Sequence, residues 1–202
     1  TFIFQVIMLL HGVFYFFLFP SQFLGRKILS DQIQFVELLL WLLFFVLGLI
    51  FGSFANVLIF RLPKGQSVVR PRSYCYSCMK QIAWFDNIPL ISYLILKGRC
   101  RSCKSKYSWR YPLVELLMGC GFLCLYLWHG FNIYLIEHLV FFFSLMVVSF
   151  IDFDHMILPD SFTLSGIVVG LLGSLANPGR SFYDAFAGVI MGGGFLWAVA
   201  YL

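Results

Sequence analysis

The stretch FVELLLWLLFFVLGLIFGSFANVLIF, residues 35–60, decides the fold class of this chain. It contains a single charged side chain, Glu37, close to its start. A helix of this length rises by about 1.5 Å per residue and is longer than the ~30 Å hydrocarbon core of a bilayer. The stretch therefore predicts a transmembrane helix.

The rest of the chain has the same character. Of its 202 residues, 61% are hydrophobic, 20% are aromatic and only 11% are charged, and the mean hydropathy is +0.90. A soluble domain needs more charge on its surface, so this composition excludes a soluble globular enzyme. Helices satisfy their own backbone polar groups in lipid, so we predict an all-α, polytopic transmembrane bundle. The predicted spans are 2–19, 35–60, 111–128, 133–151, 161–176 and 182–202.

Small residues recur at helical spacing in three of these runs. The pairs are Gly48 and Gly52, Gly166 and Gly170, and Gly188 and Gly192. Such small-x-x-x-small patterns predict faces on which two membrane helices approach closely.

We divide the chain into four segments: an N-terminal apolar segment (1–34), a transmembrane helix (35–60), a polar loop (61–110) and a membrane core (111–202). The first segment lacks the basic start and cleavage site of a signal peptide. The chain begins without Met and stops inside an apolar run, so we expect both ends to be incomplete relative to the gene product.

The polar loop is strongly basic. Residues 61–110 hold 11 of the 14 Lys and Arg residues and a single acid, Asp86. By the positive-inside rule this loop is predicted to be cytoplasmic, and alternation of the spans returns residues 151–160 to the same side. Anionic lipid head groups are the expected partner of such a tethered loop, and nucleic acid is not expected.

Four cysteines in this loop indicate a metal site. Cys75 and Cys78 form one C-x-x-C pair, Cys100 and Cys103 form a second, and 21 residues separate the pairs. Two such pairs supply the four thiolates of a tetrahedral zinc site, which has no open position and is therefore structural. The reducing cytosol disfavours disulfides, and free or redox-active thiols are the other alternative.

The acids near the membrane edge are the candidates for catalysis. Asp152 directly follows the apolar run His138–Ile151, where an ionisable residue is costly and therefore a functional candidate. Asp154 is two positions further on and would face another way on a helix. Two carboxyls that share a proton can activate water, so we expect the partner of Asp152 to come from another helix. Asp160 either caps the fifth span or contributes to the site.

Two polar residues inside the predicted spans complete the candidate set. Asn56 is predicted to hydrogen-bond across helices, with a supporting role in a site as the alternative. Glu115 is either a paired structural acid or part of a ligand pocket.

An ordered set of motifs resembles the bacterial type IV prepilin peptidases, also called leader peptidase/N-methyltransferases. The resemblance runs from about Phe45 to the end of the chain. Its motifs are GSFANVLIFRLP at 52–63, the two C-x-x-C pairs, NIPLISY at 87–93, RYPLVE at 110–115 and DFDHMILPD at 152–160.

The resemblance implies a multi-pass aspartic endopeptidase of the bacterial inner (cytoplasmic) membrane with its active site facing the cytoplasm. Such enzymes remove the leader from type IV prepilins or type II secretion pseudopilins, and many N-methylate the new terminus with S-adenosyl-methionine. The first catalytic aspartate of the family corresponds to Asp152, and its cysteine tetrad corresponds to the four loop cysteines. Supporting or substrate-site candidates are Asp154, Asp160, Glu115 and Asn56.

One departure from the family pattern affects catalysis. The second aspartate of the family lies in a G-x-G-D motif, but Gly192-Gly-Gly194 is followed here by Phe195. We expect that motif beyond residue 202, and we expect the polypeptide as printed to lack proteolytic activity. The alternatives are an inactive relative and a non-catalytic membrane scaffold whose zinc loop docks a cytoplasmic partner. A transporter would need more polar residues in the middle of its spans.

Overall fold

The structure, a computed structural model, describes residues 31–157, 160–176 and 181–201. The predicted span 2–19 lies outside these ranges. Short 3₁₀ turns at Leu62–Lys64 and Trp84–Asn87 belong to the loop. The helices are α1 (Asp31–Arg61), α2 (Ile91–Ile95), α3 (Arg110–His129), α4 (Ile133–His155), α5 (Asp160–Ala176) and α6 (Phe182–Tyr201).

The prediction of an all-α membrane bundle is confirmed. The ranges Gln34–Lys64, Arg110–His129 and Tyr134–His155 are helical and are long and apolar enough to cross a membrane, and Phe162–Leu175 is a shorter apolar helix. The largest boundary differences are at the start of α1, which begins at Asp31 and not at the predicted residue 35, and at the end of α4, which continues past the predicted residue 151 to His155.

Local signals explain the ends of α4. The Asn132 Oδ1 atom accepts a hydrogen bond from the Leu135 N–H at 2.9 Å, which satisfies a donor of the first turn. Met156 adopts a left-handed conformation with φ 52°, and its N–H donates to the Asp152 carbonyl at 2.8 Å. The final turn of α4 therefore contains Asp152 and Asp154.

The bundle core is formed by α1, α3 and α4. Helices α1 and α3 approach closely, because a Cβ atom added at Gly48 would lie 2.5 Å from the Met118 carbonyl oxygen. Beside Gly166 or Gly170 such an atom would meet nothing within 4 Å, and the same holds at Gly188 and Gly192. The close approach expected from the spacing is thus present at the first pair and not at the other two. The core residues are Ala55, Leu58, Ile59, Val114, Met118, Phe122, Met146, Val147 and Ile151.

We predict that Gly52→Ala destabilises the bundle. The added methyl would lie 2.6 Å from the Glu115 Cα atom, so α1 and α3 must separate. Overpacking of this kind costs about 1–3 kcal/mol, and thermal unfolding in detergent measures it. Gly166→Ala is the matched control, since a Cβ there has open space. Equal melting temperatures for the two variants would contradict the close packing.

Candidate functional site

Each C-x-x-C pair forms a tight turn, and the two turns have the same geometry. In the first, the Cys75 N–H donates to the Lys80 carbonyl at 2.9 Å and the Met79 N–H donates to the Cys75 carbonyl at 2.7 Å. The equivalent bonds around Cys100 are 2.8 and 3.0 Å. Met79 and Lys104 occupy the same position in the two turns, and both have positive φ angles, 57° and 60°. The loop therefore contains a short structural repeat that aims two thiols from each turn at one point.

The four sulfur atoms can hold one metal ion. All four Sγ atoms lie within 4.8 Å of one another, and Cys75 and Cys100 are buried. The Cys75 and Cys103 sulfurs are 3.7 Å apart. A zinc–sulfur distance of about 2.3 Å in a tetrahedron places its sulfurs ~3.8 Å apart. A disulfide would need about 2.05 Å, and all four cysteines are free thiols, so the disulfide alternative is not formed.

The thiols also have the electrostatics of a cation site. Burial acts to raise the pKa of Cys75, but hydrogen bonds from Ser105 and from the N–H groups of Cys78 and Ser77 lower this pKa to about 5. The Lys80 N–H lowers the pKa of Cys78, but burial and the neighbouring thiols outweigh it and raise this pKa to about 11. Thiolates this close together repel one another, and a bound divalent cation removes that repulsion. The four thiols therefore fit a metal ion.

The acids of the membrane edge lie in the last turn of α4. Asp152 is half-buried and follows Ile151, which is completely buried. Asp154 forms an ion pair with Arg110, the first residue of α3, and Arg110 Nη2 donates to the Phe150 carbonyl at 3.2 Å. This contact fixes the end of α4 against the start of α3.

Asp160 is the first residue of α5. Its side chain lies outside what the structure describes, so a role for it stays a prediction.

Of the two polar residues inside the spans, Asn56 connects two helices and Glu115 connects a helix to the loop. The Asn56 Nδ2 atom donates to the Tyr111 carbonyl at 3.0 Å, so the predicted hydrogen bond across helices is present. Glu115 is only 8% exposed, and its Oε2 atom accepts a hydrogen bond from the Leu90 N–H at 2.8 Å. A carboxylate on α3 therefore holds the backbone of the polar loop.

The loop segment that Glu115 holds is strained. Leu90 has φ 58° and ψ −49°, and the Ile91 N–H donates to the Pro89 carbonyl at 2.6 Å. This is a γ-turn with positive φ, a rare conformation that costs free energy and needs support from its surroundings. The Glu115 hydrogen bond supplies that support.

A cavity of about 160 Å³ lies between α1, α3 and the loop. Asn56 and Glu115 line it, so Glu115 is both a structural acid and a cavity residue. Sequence reasoning missed its aromatic wall. Three of its five tyrosines lie next to or near the cysteine pairs, and this was the signal that could have indicated the wall. The tyrosines are Tyr74, Tyr76, Tyr93, Tyr107 and Tyr111.

Two family models match the chain. The Bacterial Peptidase A24 N-terminal domain matches residues 46–129, and the Type IV leader peptidase family matches residues 139–202. A relative from Klebsiella pneumoniae, named prepilin leader peptidase/N-methyltransferase, is 38% identical over 161 residues, which are 77% of this chain and 71% of the relative. This chain belongs to the type IV leader peptidase family. The four cysteines, the cavity and Glu115 all lie in the part that matches the N-terminal domain of the family.

Two further relatives carry the same name. The one from Myxococcus xanthus is 46% identical over 148 residues, which are 73% of this chain and 44% of the relative. The one from Stutzerimonas stutzeri is 40% identical over 182 residues, which are 78% of this chain and 62% of the relative. This leader peptidase family chain thus spans less than two thirds of the length of either relative. No solved structure matches it.

Proposed function

We propose that this chain carries one catalytic carboxylate, Asp152, of an aspartic endopeptidase that removes the leader peptide from type IV prepilins or type II secretion pseudopilins. The observation that carries this proposal is the position of Asp152. It lies in the last turn of an apolar helix, inside the segment that matches the Type IV leader peptidase family.

The chemistry needs two carboxyls that share one proton. The ionised carboxyl takes a proton from water, whose oxygen attacks the scissile carbonyl, while the protonated carboxyl polarises that carbonyl. The C–N bond then breaks, and the leaving amine takes up a proton from the pair of carboxyls. No covalent acyl-enzyme forms. Asp152 is the candidate for one of these groups, whereas Asp154 is held by Arg110 and serves to position the end of α4.

The substrate reaches this site at the membrane surface. We propose that the site faces the cytoplasm of the bacterial inner membrane, because the basic loop adjoins the same end of the bundle. The apolar helix of the pilin then stays in lipid while its leader junction unwinds beside Asp152.

The full-length gene product provides the test, since G-x-G-D does not occur in residues 1–202. We expect purified full-length enzyme to remove the leader from a prepilin and a polypeptide ending at residue 202 to be inactive. Cleavage by the shorter polypeptide would contradict a two-carboxylate mechanism that needs a second aspartate outside it.

We also propose that the full-length enzyme N-methylates the new terminus, as the names of the relatives indicate for those proteins. S-adenosyl-methionine would supply a methyl group on a positively charged sulfur. The chain offers chemistry that fits this donor, namely a cavity with aromatic walls and a buried carboxylate.

Zinc is the metal that we propose for the four cysteines. Four thiolates leave no open coordination position, so the ion would not take part in catalysis. It would hold together a loop that has little apolar core of its own.

Anionic lipid is the partner that we propose for the outer surface of the loop. Trp84, Leu94 and Ile95 are 72%, 73% and 69% exposed, and the exposed bases Lys97 and Arg99 follow them. The loop is tethered to the membrane by α1 and α3, so apolar side chains beside bases can insert among acidic head groups.

Quenching of tryptophan fluorescence by brominated lipid tests this contact in nanodiscs. We expect Trp84→Phe to remove part of the quenching, and the part removed should be larger with phosphatidylglycerol than with phosphatidylcholine alone. Trp128→Phe is a control at the other end of α3. The contact is refuted if Trp84→Phe leaves quenching unchanged in both lipids.

A further inference from the structure

The cavity between α1, α3 and the loop has the chemistry of a cation-binding site. We propose that it binds the adenosyl sulfonium of the methyl donor, with Glu115 facing the positive charge and the tyrosines contacting the adenosyl group. This inference rests on the proposed N-methylation and assigns that activity to a place in the chain.

The wall of the cavity provides aromatic faces. The ring centroids of Phe60 and Tyr76 are 4.6 Å apart, and those of Tyr74 and Tyr76 are 4.9 Å apart. The electron-rich faces of such rings attract cations and stack on heteroaromatic groups. One ring of this cluster already contacts a cation, because the Lys64 Nζ atom lies 3.3 Å from the Phe60 centroid.

The other charged residues of the lining are already paired. Arg101 donates to both carboxylate oxygens of Asp86, at 2.8 and 2.6 Å. This contact with Arg101 holds the pKa of Asp86 below its usual range. Arg61 is buried, and its Nη1 atom donates to the Ser67 and Val68 carbonyls at 3.1 and 3.4 Å.

Glu115 is different from these residues. Among the described residues, the donors that reach its carboxylate are neutral, namely the Leu90 N–H at 2.8 Å and the neighbouring Ser53 side chain. A carboxylate has about four acceptor positions, so positions remain for a ligand. A buried carboxylate without a cationic partner is costly, and a cation bound beside it offsets that cost. The missing positive charge is what a sulfonium would bring.

The metal centre explains how the aromatic wall is held. Tyr74 and Tyr76 flank Cys75 in the first turn, and Tyr107 follows the second turn, with its N–H donating to the Gly98 carbonyl at 2.7 Å. The turns that carry the four thiols therefore hold three of the five tyrosines that line the cavity. A metal ion bound by these thiols would therefore support ligand binding through the tyrosines, without contacting the ligand itself.

The cavity also lies at the same end of the bundle as the proposed peptidase carboxylate. Arg110, at the start of α3, contacts the last turn of α4, and Glu115 is about 7.5 Å further along α3 by helical rise. Val114 and Ile151, the neighbours of Glu115 and Asp152 in the chain, belong to one core cluster. A terminus freed by cleavage would thus have a short distance to travel.

Two ligands share the cationic chemistry that this cavity recognises. One is the sulfonium of the methyl donor, and the other is the α-ammonium of the processed pilin. Isothermal titration of the full-length enzyme in detergent separates them, with S-adenosyl-methionine in one arm and a peptide of the mature pilin N-terminus in the other. S-adenosyl-homocysteine, whose sulfur is neutral, isolates the contribution of the charge.

We expect wild-type enzyme to bind S-adenosyl-methionine more tightly than S-adenosyl-homocysteine. Glu115→Gln keeps an acceptor for the Leu90 N–H but removes the negative charge. It should weaken the binding of S-adenosyl-methionine about 10-fold or more, and the binding of S-adenosyl-homocysteine less. Tyr76→Leu should weaken both about 3- to 30-fold through lost ring contacts. Glu37→Gln, on α1 outside the cavity lining, should bind like wild type. Zinc content and melting temperature show whether each variant is folded.

The outcomes are distinct. Unchanged affinity for S-adenosyl-methionine in folded Glu115→Gln and Tyr76→Leu overturns the proposed site. Loss of pilin-peptide binding alone in Glu115→Gln assigns the cavity to the ammonium and also overturns it. If wild-type enzyme removes leaders but binds no S-adenosyl-methionine, the N-methylation proposal itself is wrong.

Discussion

Full-length enzyme that carries Asp152→Asn is expected to remain folded and to lose leader removal. Asn fits the same space as Asp but neither takes a proton from water nor shares one with a second carboxyl. Loss of such a group lowers the rate by about 10²–10⁴-fold. The residue lies on the surface side of the completely buried Ile151, so its replacement should leave the core intact. Mass spectrometry of a purified prepilin before and after incubation measures the effect.

Asp154→Asn is the matched control for this prediction. It is the same chemical change two residues further along α4, and it breaks a partly exposed ion pair with Arg110. Such pairs contribute about 0–1 kcal/mol, so we expect a small loss of stability and much more residual cleavage than with Asp152→Asn. If Asp152→Asn cleaves at the wild-type rate, Asp152 is not part of the mechanism. The same conclusion follows if the two variants lose cleavage activity equally.

Loss of the metal is the second large effect that we predict. Wild-type protein should contain about one zinc per chain, and Cys75→Ser should lower this content strongly, because serine is a poor zinc ligand. Structural zinc contributes about 10–16 kcal/mol of apparent binding free energy, which far exceeds what the loop contacts supply. Elemental analysis measures the zinc, and limited proteolysis between α1 and α3 measures the order of the loop.

Cys120→Ser is the control for the metal prediction. Cys120 is a cysteine of α3 that does not belong to the loop tetrad, so the variant should keep its zinc and its resistance to protease. Wild-type protein that is free of metal and still resists cleavage in the loop would show that the thiols do not need an ion.

The local sequence pattern predicted those features that depend only on residues close together in the chain. The apolar run 35–60 and the C-x-x-C pairs indicate a membrane helix and a tetrahedral thiol site by composition and spacing alone, and the structure contains both. The end of α4 was placed too early because charged residues normally mark the end of a span. Here Asp152 and Asp154 continue the helix for one more turn, until Met156 adopts positive φ.

Contacts between distant segments could not be predicted in this way. Glu115 and Leu90 are 25 residues apart, and Arg110 and Asp154 are 44 residues apart. Each pair is one of many that the composition allows, and the packing of α3 against α4 and against the loop selects it. The aromatic cavity was missed for the same reason, since its wall comes from the loop and its carboxylate from a membrane helix.

The contact of Arg110 with the end of α4 has a consequence for genetics. Arg110 is where the cysteine-bearing loop ends and α3 begins, and it reaches the turn that contains Asp152. Damage to the loop can therefore be transmitted to the turn that carries the proposed catalytic carboxylate, so that a mutation in one half of the protein has the same effect as a mutation in the other. Under the proposed function, screens that score only whether pili assemble would place both kinds of mutant in one class. Separate assays of leader removal and terminal methylation on the same purified variant would tell them apart.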